Sequence, residues 1–204
     1  MLRGEKQSGF TLIELMVVLS IAAIVLTLST PLSNLFQNNR VSAQVREFVS
    51  ALNLARGTAI SQGMCTSLCI SDGNNPPGCR AATNDDDIET WNQGWLVFTD
   101  ADCDATLDGG TDTLVRQFDG LPTGYTLRVQ STNNGDGEDN DNRETITYRA
   151  SGIANTSAGT WTLCGPSGQD IHKRGIDIAV SGRVRSLTVA EANNDANINL
   201  RACP

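Results

Sequence analysis

The stretch GFTLIELMVVLSIAAIVL, residues 9–26, decides how this chain is read. From Phe10 to Leu28 there are nineteen residues and a single charge, Glu14. Nineteen residues in a helix reach about 28 Å, close to the thickness of a bilayer's hydrocarbon core. An ionised carboxylate in such a place costs several kcal/mol unless a partner offsets it. The preceding MLRGEKQSG is short and polar, and Arg3 and Lys6 belong on the cytoplasmic side by the positive-inside tendency. A secretory signal would carry its cleavage site after the apolar region. Here the punctuation, Gly9-Phe10, comes before it. A cut there leaves the apolar helix on the mature chain, with the new Phe10 ammonium one helical turn from Glu14.

The helical pattern continues beyond Pro31. Leu35, Val45, Phe48, Val49, Leu52 and Ala59 recur at threes and fours, with Arg40, Arg46, Glu47 and Arg56 mostly on other faces. Pro31 removes one backbone hydrogen bond and is expected to kink or loosen the helix locally. Gln62-Gly63 is a stop signal. The expectation is one helix over 10–62, its first part (10–30) spanning a membrane and its second half laid on a sheet.

After Gly63 the texture changes to short β runs between turn clusters. MCTSLCISD (64–72), GWLVFTD (94–100), DTLVRQF (112–118), YTLRVQ (125–130) and ETITYRA (144–150) read as strands. GTWTLCG (159–165), GIDIAVS (175–181) and RVRSLTV (183–189) complete the set. One long helix followed by eight strands predicts an α+β fold with antiparallel sheets. The domain plan is a leader at 1–9, the helix at 10–62 and a β-rich globular part at 63–204.

Charge is unevenly spread over the 204 residues. Removing residues 1–9 leaves 13 bases and 22 acids, a net charge of −9. Residues 72–145 hold 16 acids and 4 bases, whereas residues 171–204 hold 5 bases and 3 acids. The basic tail is where an anionic partner would be sought. Six cysteines, all after the apolar run, read as disulfides in an exported domain. Cys164 with Cys203 is the first expected pair, because the long tail needs fastening to the sheet. Cys69 with Cys79 would close the NNPPG loop, and Cys65 with Cys103 is left by elimination. Zinc is disfavoured, since no C-x-x-C occurs and His172 is the sole histidine. With no nucleophile triad, nucleotide loop or H-E-x-x-H motif, the chain reads as a non-enzyme without a cofactor.

At GFTLIEL the chain resembles the type IV prepilins and type II secretion pseudopilins. The resemblance implies cleavage by prepilin peptidase after Gly9, methylation of Phe10, and a role for Glu14 in assembly. Glu14 of one subunit would face the Phe10 ammonium of a neighbour, offsetting its desolvation. In that family a proline at the place of Pro31 marks where the helix bends or melts in the filament. The soluble part is similar to the FimT/FimU and GspH subgroup of minor pilins and pseudopilins, through ALNLARGTAISQG, WNQGWLVFTDAD and SGRVR. The resemblance further implies a single-pass inner-membrane protein with a periplasmic domain. It would join major and minor pilins through its N-terminal helix in a surface pilus, near the tip, helping to start assembly. A pseudopilin of a type II secretion system is the same mechanism in another machine.

Two stretches outside the helix are candidates for binding. SGRVR places Arg183 and Arg185 two apart on a strand, facing the same way, with Lys173, Arg174 and Arg201 near in sequence. Some FimT-like pilins take up DNA through such a motif; the competing reading is arginines covering a sheet edge. DADCDATLDGGT offers Asp100, Asp102, Asp104 and Asp108 to Ca²⁺, although Ala105 and Thr111 occupy the loop's glycine and bidentate positions. The bland reading is solvated turns, for it and for DGEDND (136–141). Trp91, Trp95 and Trp161 read as core anchors, and His172 as a solvated side chain.

Overall fold

The computed structural model describes residues 10–80, 90–129, 144–154, 158–166, 168, 170–195, 198, 200 and 202–203, without the side chains of 27–35 and 171. The leader, Gly9, the 136–141 loop and Arg201 lie outside the described residues, as does the side chain of Pro31. Helix α1, Leu12–Gln62, is followed by strands β1 (Cys65–Ile70), β2 (Trp95–Asp100), β3 (Thr113–Phe118) and β4 (Thr126–Val129). Then come β5 (Thr145–Tyr148), β6 (Gly159–Cys164), β7 (Arg174–Ile178), β8 (Val184–Leu187) and a short helix α2 (Val189–Asn193). Each expected strand is present. They form two antiparallel four-stranded sheets, ordered β3-β2-β1-β5 and β4-β6-β7-β8.

The chain divides into two compact units, Met1–Asn39 and Arg40–Pro204. In the first, the large apolar side chains from Phe10 to Leu26 are all more than half exposed. They surround the helix, so no single face can be buried by folding back on a sheet.

In the second unit, Val41, Val45, Phe48, Leu52, Ala55 and Ala59 fall on one helical face and are buried. Phe48 meets the rings of Trp91 and Trp95 edge-on, with centroids 5.4 and 5.1 Å away. Beneath them lie Leu68, Ile70 and Val97 from the first sheet and Leu127, Trp161, Leu163 and Ile176 from the second, in one core. Burial of each such large side chain contributes about 2–3 kcal/mol. The three tryptophans are therefore core anchors, as expected.

β1 is buried on both faces. Its outer face carries Cys69, packed with Leu96 and Phe98 under the flanking loops. The outer face of the second sheet has its own cover: Leu187, Ala192, Ile198 and Leu200 cluster together. A Cβ on Gly175 would come within 2.7 Å of Leu200 Cδ2, so the tail sits directly on the strand.

Two local expectations differ from the structure. The last strand ends at Leu187, because Thr188 and Glu191 form a reciprocal capping box that starts α2 instead. The Thr-x-x-Glu signal was present in TVAE and outweighs the β-branched residues around it. His172 is buried, 3 % exposed, and not solvated. It lies in a 3-10 turn, Asp170–His172, where the carboxylate of Asp170 receives the Cys203 N–H at 2.8 Å as the tail returns.

Candidate assembly and binding sites

At the start of α1, Thr11 supplies the cap. Its hydroxyl accepts the Glu14 N–H at 3.3 Å and its carbonyl accepts the Leu15 N–H at 3.2 Å. Glu14 thus lies in the first helical turn. The helix N-terminus there is the positive end of the helix dipole. Thr-Leu-Ile-Glu is a capping sequence that reading the run as purely apolar overlooked. Among the described residues no helix is long and apolar enough to cross a membrane. The described apolar side chains stop at Leu26, and those of residues 27–35 lie outside the described set.

The acidic loop after β2 is organised around Asp100, which is fully buried. Its carboxylate accepts the Ser67 hydroxyl at 2.7 Å and the Asp104 and Ala105 N–H groups at 3.2 and 3.0 Å. The carboxylates of Asp100, Asp102 and Asp104 lie within 4.8 Å of one another. Asp108 is not one of this trio, although partial loss of solvation and repulsion from Asp104, Asp102, Asp112 and Asp100 raise its carboxyl above the ordinary range. With Asp100 spent on the loop backbone, the cluster reads first as a folded turn. Cys103 and Ala105 adopt positive φ, 63° and 69°, within it.

The basic residues grouped by sequence are not grouped in space. Lys173 precedes β7 and Arg174 begins it, whereas Arg183 comes after the turn at its far end. Ala179 donates its N–H to the Arg183 carbonyl, so five pleats, about 17 Å, separate the two ends of this hairpin. Lys173 reaches the Leu200 carbonyl and the Asp170 carboxylate, both at 3.4 Å. Arg174 Nη1 donates to the Lys173 carbonyl at 2.9 Å. Arg185 stands opposite Asp177 in the β7–β8 ladder. Its Nε and Nη2 donate to Asp177 Oδ2 at 3.1 and 2.7 Å, and Nη2 lies 3.8 Å from Asp195. The hydrogen bond and charge of Asp177 hold the Arg185 guanidinium above its ordinary pKa. Arg183 is exposed and its side chain has no ion pair among the described residues.

The glycine of SGRVR has a separate task. Gly182 has φ +76°, and a Cβ there would strike the Gly152 carbonyl. Arg56 of α1 donates from Nε to Gly152 O and from Nη2 to Ser181 O, both at 3.1 Å. One arginine therefore ties the end of the helix to a turn from each sheet. No local sequence signal pointed to this role for Arg56.

The three disulfides join Cys65 to Cys103, Cys69 to Cys79 and Cys164 to Cys203, with Cα separations of 5.4, 5.6 and 5.7 Å. These are the three pairs read from the sequence, and no cysteine is free.

Two family profiles match this chain. The profile of the type II transport protein GspH family matches residues 44–183. That of the prokaryotic N-terminal methylation motif matches residues 5–30. A search of curated proteins finds no match. Among solved structures, the type IV minor pilin FimU of Pseudomonas aeruginosa (strain PAO1) is similar in one crystal form at a TM-score of 0.49 and 19 % identity, over 72 % of this chain and 87 % of that one. A second crystal form of FimU gives 0.47 and 19 %, over 71 % and 90 %. The matched GspH segment takes in the last part of α1, strands β1 to β7 and the turn at Gly182. The chain belongs to the type II transport protein GspH family, with the N-terminal methylation motif of the pilins and pseudopilins that its leader resembles.

Proposed function

We propose that this protein is a minor type IV pilin, a structural subunit and not an enzyme, that enters the filament near its tip and helps to start assembly. The observation that carries the reading is the first helix. From Phe10 to Leu26 it is apolar on all sides and exposed, with Glu14 in its first turn as the one charge of that stretch, while the disulfide-locked second unit has its own core. A helix of that kind is stable only in lipid or among similar helices. Before assembly it would cross the inner membrane once, with the β-rich unit in the periplasm. Prepilin peptidase would cut between Gly9 and Phe10 and the new terminus would be methylated. In the filament, Glu14 would meet the Phe10 ammonium of an adjacent pilin, and the surrounding apolar side chains would pack against other helices. The same parts serve a minor pseudopilin of a type II secretion system, and neighbouring genes for a pilus or for a secretion apparatus separate the two.

Mass spectrometry of the membrane form should find residues 1–9 absent and a methyl group on Phe10; an intact Met1 on protein from piliated cells sinks the proposal. Glu14→Ala should be processed and folded as wild type but enter filaments at a small fraction of the wild-type level. Undiminished entry would mean that packing alone recruits the subunit.

A further inference from the structure

Beyond the first helix, the second unit carries an exposed apolar patch with a basic rim. Ile60, Ile153 and Val180 are 53, 40 and 54 % exposed. They come from the end of α1, the turn after β5 and the turn after β7. They are held together by the Arg56 hydrogen bonds to Gly152 and Ser181 and by the Ala154 N–H to Val180 O bond of 3.1 Å. A Cβ on Gly152 would lie 2.8 Å from Ile60 Cδ1, so these turns rest directly on the helix. Arg149 and Arg183 flank the patch from the same two turns. Both are exposed, and neither side chain forms an ion pair among the described residues. In a chain of net charge −8, this is a cationic, apolar surface on a rigid support.

An acidic loop leads to the other edge of the first sheet, where the one charge of β3 itself, Arg116, lies over the Phe118 ring at 4.7 Å from its centroid. β3 is an edge strand with Leu114 and Val115 exposed, 39 and 37 %. Asp102 and Asp108 stand in the loop leading to it, exposed, their carboxylates accepting no hydrogen bond among the described residues. Arg149 comes directly after β5, the opposite edge strand, and the order β3-β2-β1-β5 separates the two edges by three strand spacings, about 14 Å. The two surfaces cannot satisfy each other within one molecule.

We propose that the Ile60–Ile153–Val180 patch docks on the β3 edge of a second copy of this chain, with Arg149 and Arg183 of one copy meeting Asp102 and Asp108 of the next. The apolar residues of each surface lose water together, and the charges fix the register. Because the two surfaces differ, the contact is head-to-tail and repeats along a row of copies instead of closing as a symmetric pair. It requires neither leader processing nor Glu14, so it stands or falls separately from the filament reading.

The test uses the full chain in detergent micelles, with EDTA present, followed by sedimentation. The wild type should self-associate. Arg149→Glu/Arg183→Glu and Asp102→Lys/Asp108→Lys should each be at least tenfold weaker alone. Mixing the two variants one to one should restore association to near the wild-type level, since each surface then finds an opposite charge. Non-reducing peptide mapping of the three disulfides checks that both variants are folded, and Val180→Asp supplies a third variant of the same surface should either of them misfold. A monomeric wild type, association of either charge variant at wild-type strength, or a mixture that stays dissociated overturns the proposal. Association confined to the first helix is recognised by its indifference to all three variants and counts against it equally.

Discussion

Arg185 and Asp177 face each other across the β7–β8 ladder, and the guanidinium donates two hydrogen bonds to a single carboxylate oxygen. The pair is half-covered on the outer face of the second sheet, where Asp195 also approaches. An arginine so engaged must break charge-assisted bonds before it can take a phosphate. Arg185→Gln should therefore destabilise the protein by about 1 kcal/mol, and Arg183→Gln by less than about 0.5 kcal/mol. Urea titration of each variant measures this. If the chain binds duplex DNA, the salt slope should fall by up to about 0.9 with Arg183→Gln and hardly at all with Arg185→Gln. Equal losses from both would show that the Asp177 pair opens for DNA.

Gly182 and Gly73 separate backbone strain from crowding. Both have positive φ, +76° and +74°, but only Gly182 lies against another backbone, at Gly152. Gly73→Ala should cost about 1 kcal/mol, the strain of a left-handed residue in open space. Gly182→Ala must also push apart the turn that Arg56 holds, and should cost at least about 3 kcal/mol. Equal midpoints in urea for the two variants would contradict the crowding argument.

The disulfides differ in the length of chain they close. Cys164–Cys203 spans 39 positions and Cys69–Cys79 spans 10. Chain entropy assigns about 4 kcal/mol to the first and about 3 kcal/mol to the second. Cys203→Ser should in addition free the tail from Gly175 and Leu187, so limited proteolysis should cut after Leu187 in that variant well before it cuts wild type. Cys79→Ser should leave the tail protected.

Acid should loosen the same tail. The Cys203 N–H, followed by the charge and hydrogen bond of Lys173, outweighs partial desolvation and holds the Asp170 carboxyl below its ordinary value. The Thr188 cap does the same for Glu191. A lowered carboxyl stabilises the fold fully above its unfolded value of about 4, and that contribution is lost as pH falls through the lower folded value. Asp108, shifted upward, has the opposite sign: its contribution is present in acid and fades as pH rises through its folded value. Amide exchange should show residues 188–203 losing protection between about pH 4 and pH 2 ahead of the core strands. Asp170→Asn should flatten that response; protection that is unchanged down to pH 2 would contradict the assignment.

Periodicity alone determined much of this protein. The 3.6 period after Pro31 marks the second half of α1, because that face must be buried, and short β runs between turn clusters mark all eight strands. The leader, Glu14 and the uniform apolarity of residues 10–26 are equally local, and they carry the family likeness without any fold. Only the tertiary structure decided what the charged groups do. Arg185 and Asp177 are eight residues apart, Arg56 and Ser181 are 125 apart, and no local rule pairs either set. Strand order placed Lys173 and Arg174 at one end of a hairpin and Arg183 at the other. The returning tail fastened the Asp170–His172 turn and covered Gly175. A hydrophobic pattern repeats along the chain and is legible there, whereas an ion pair or a close backbone approach exists only once distant segments have been brought together.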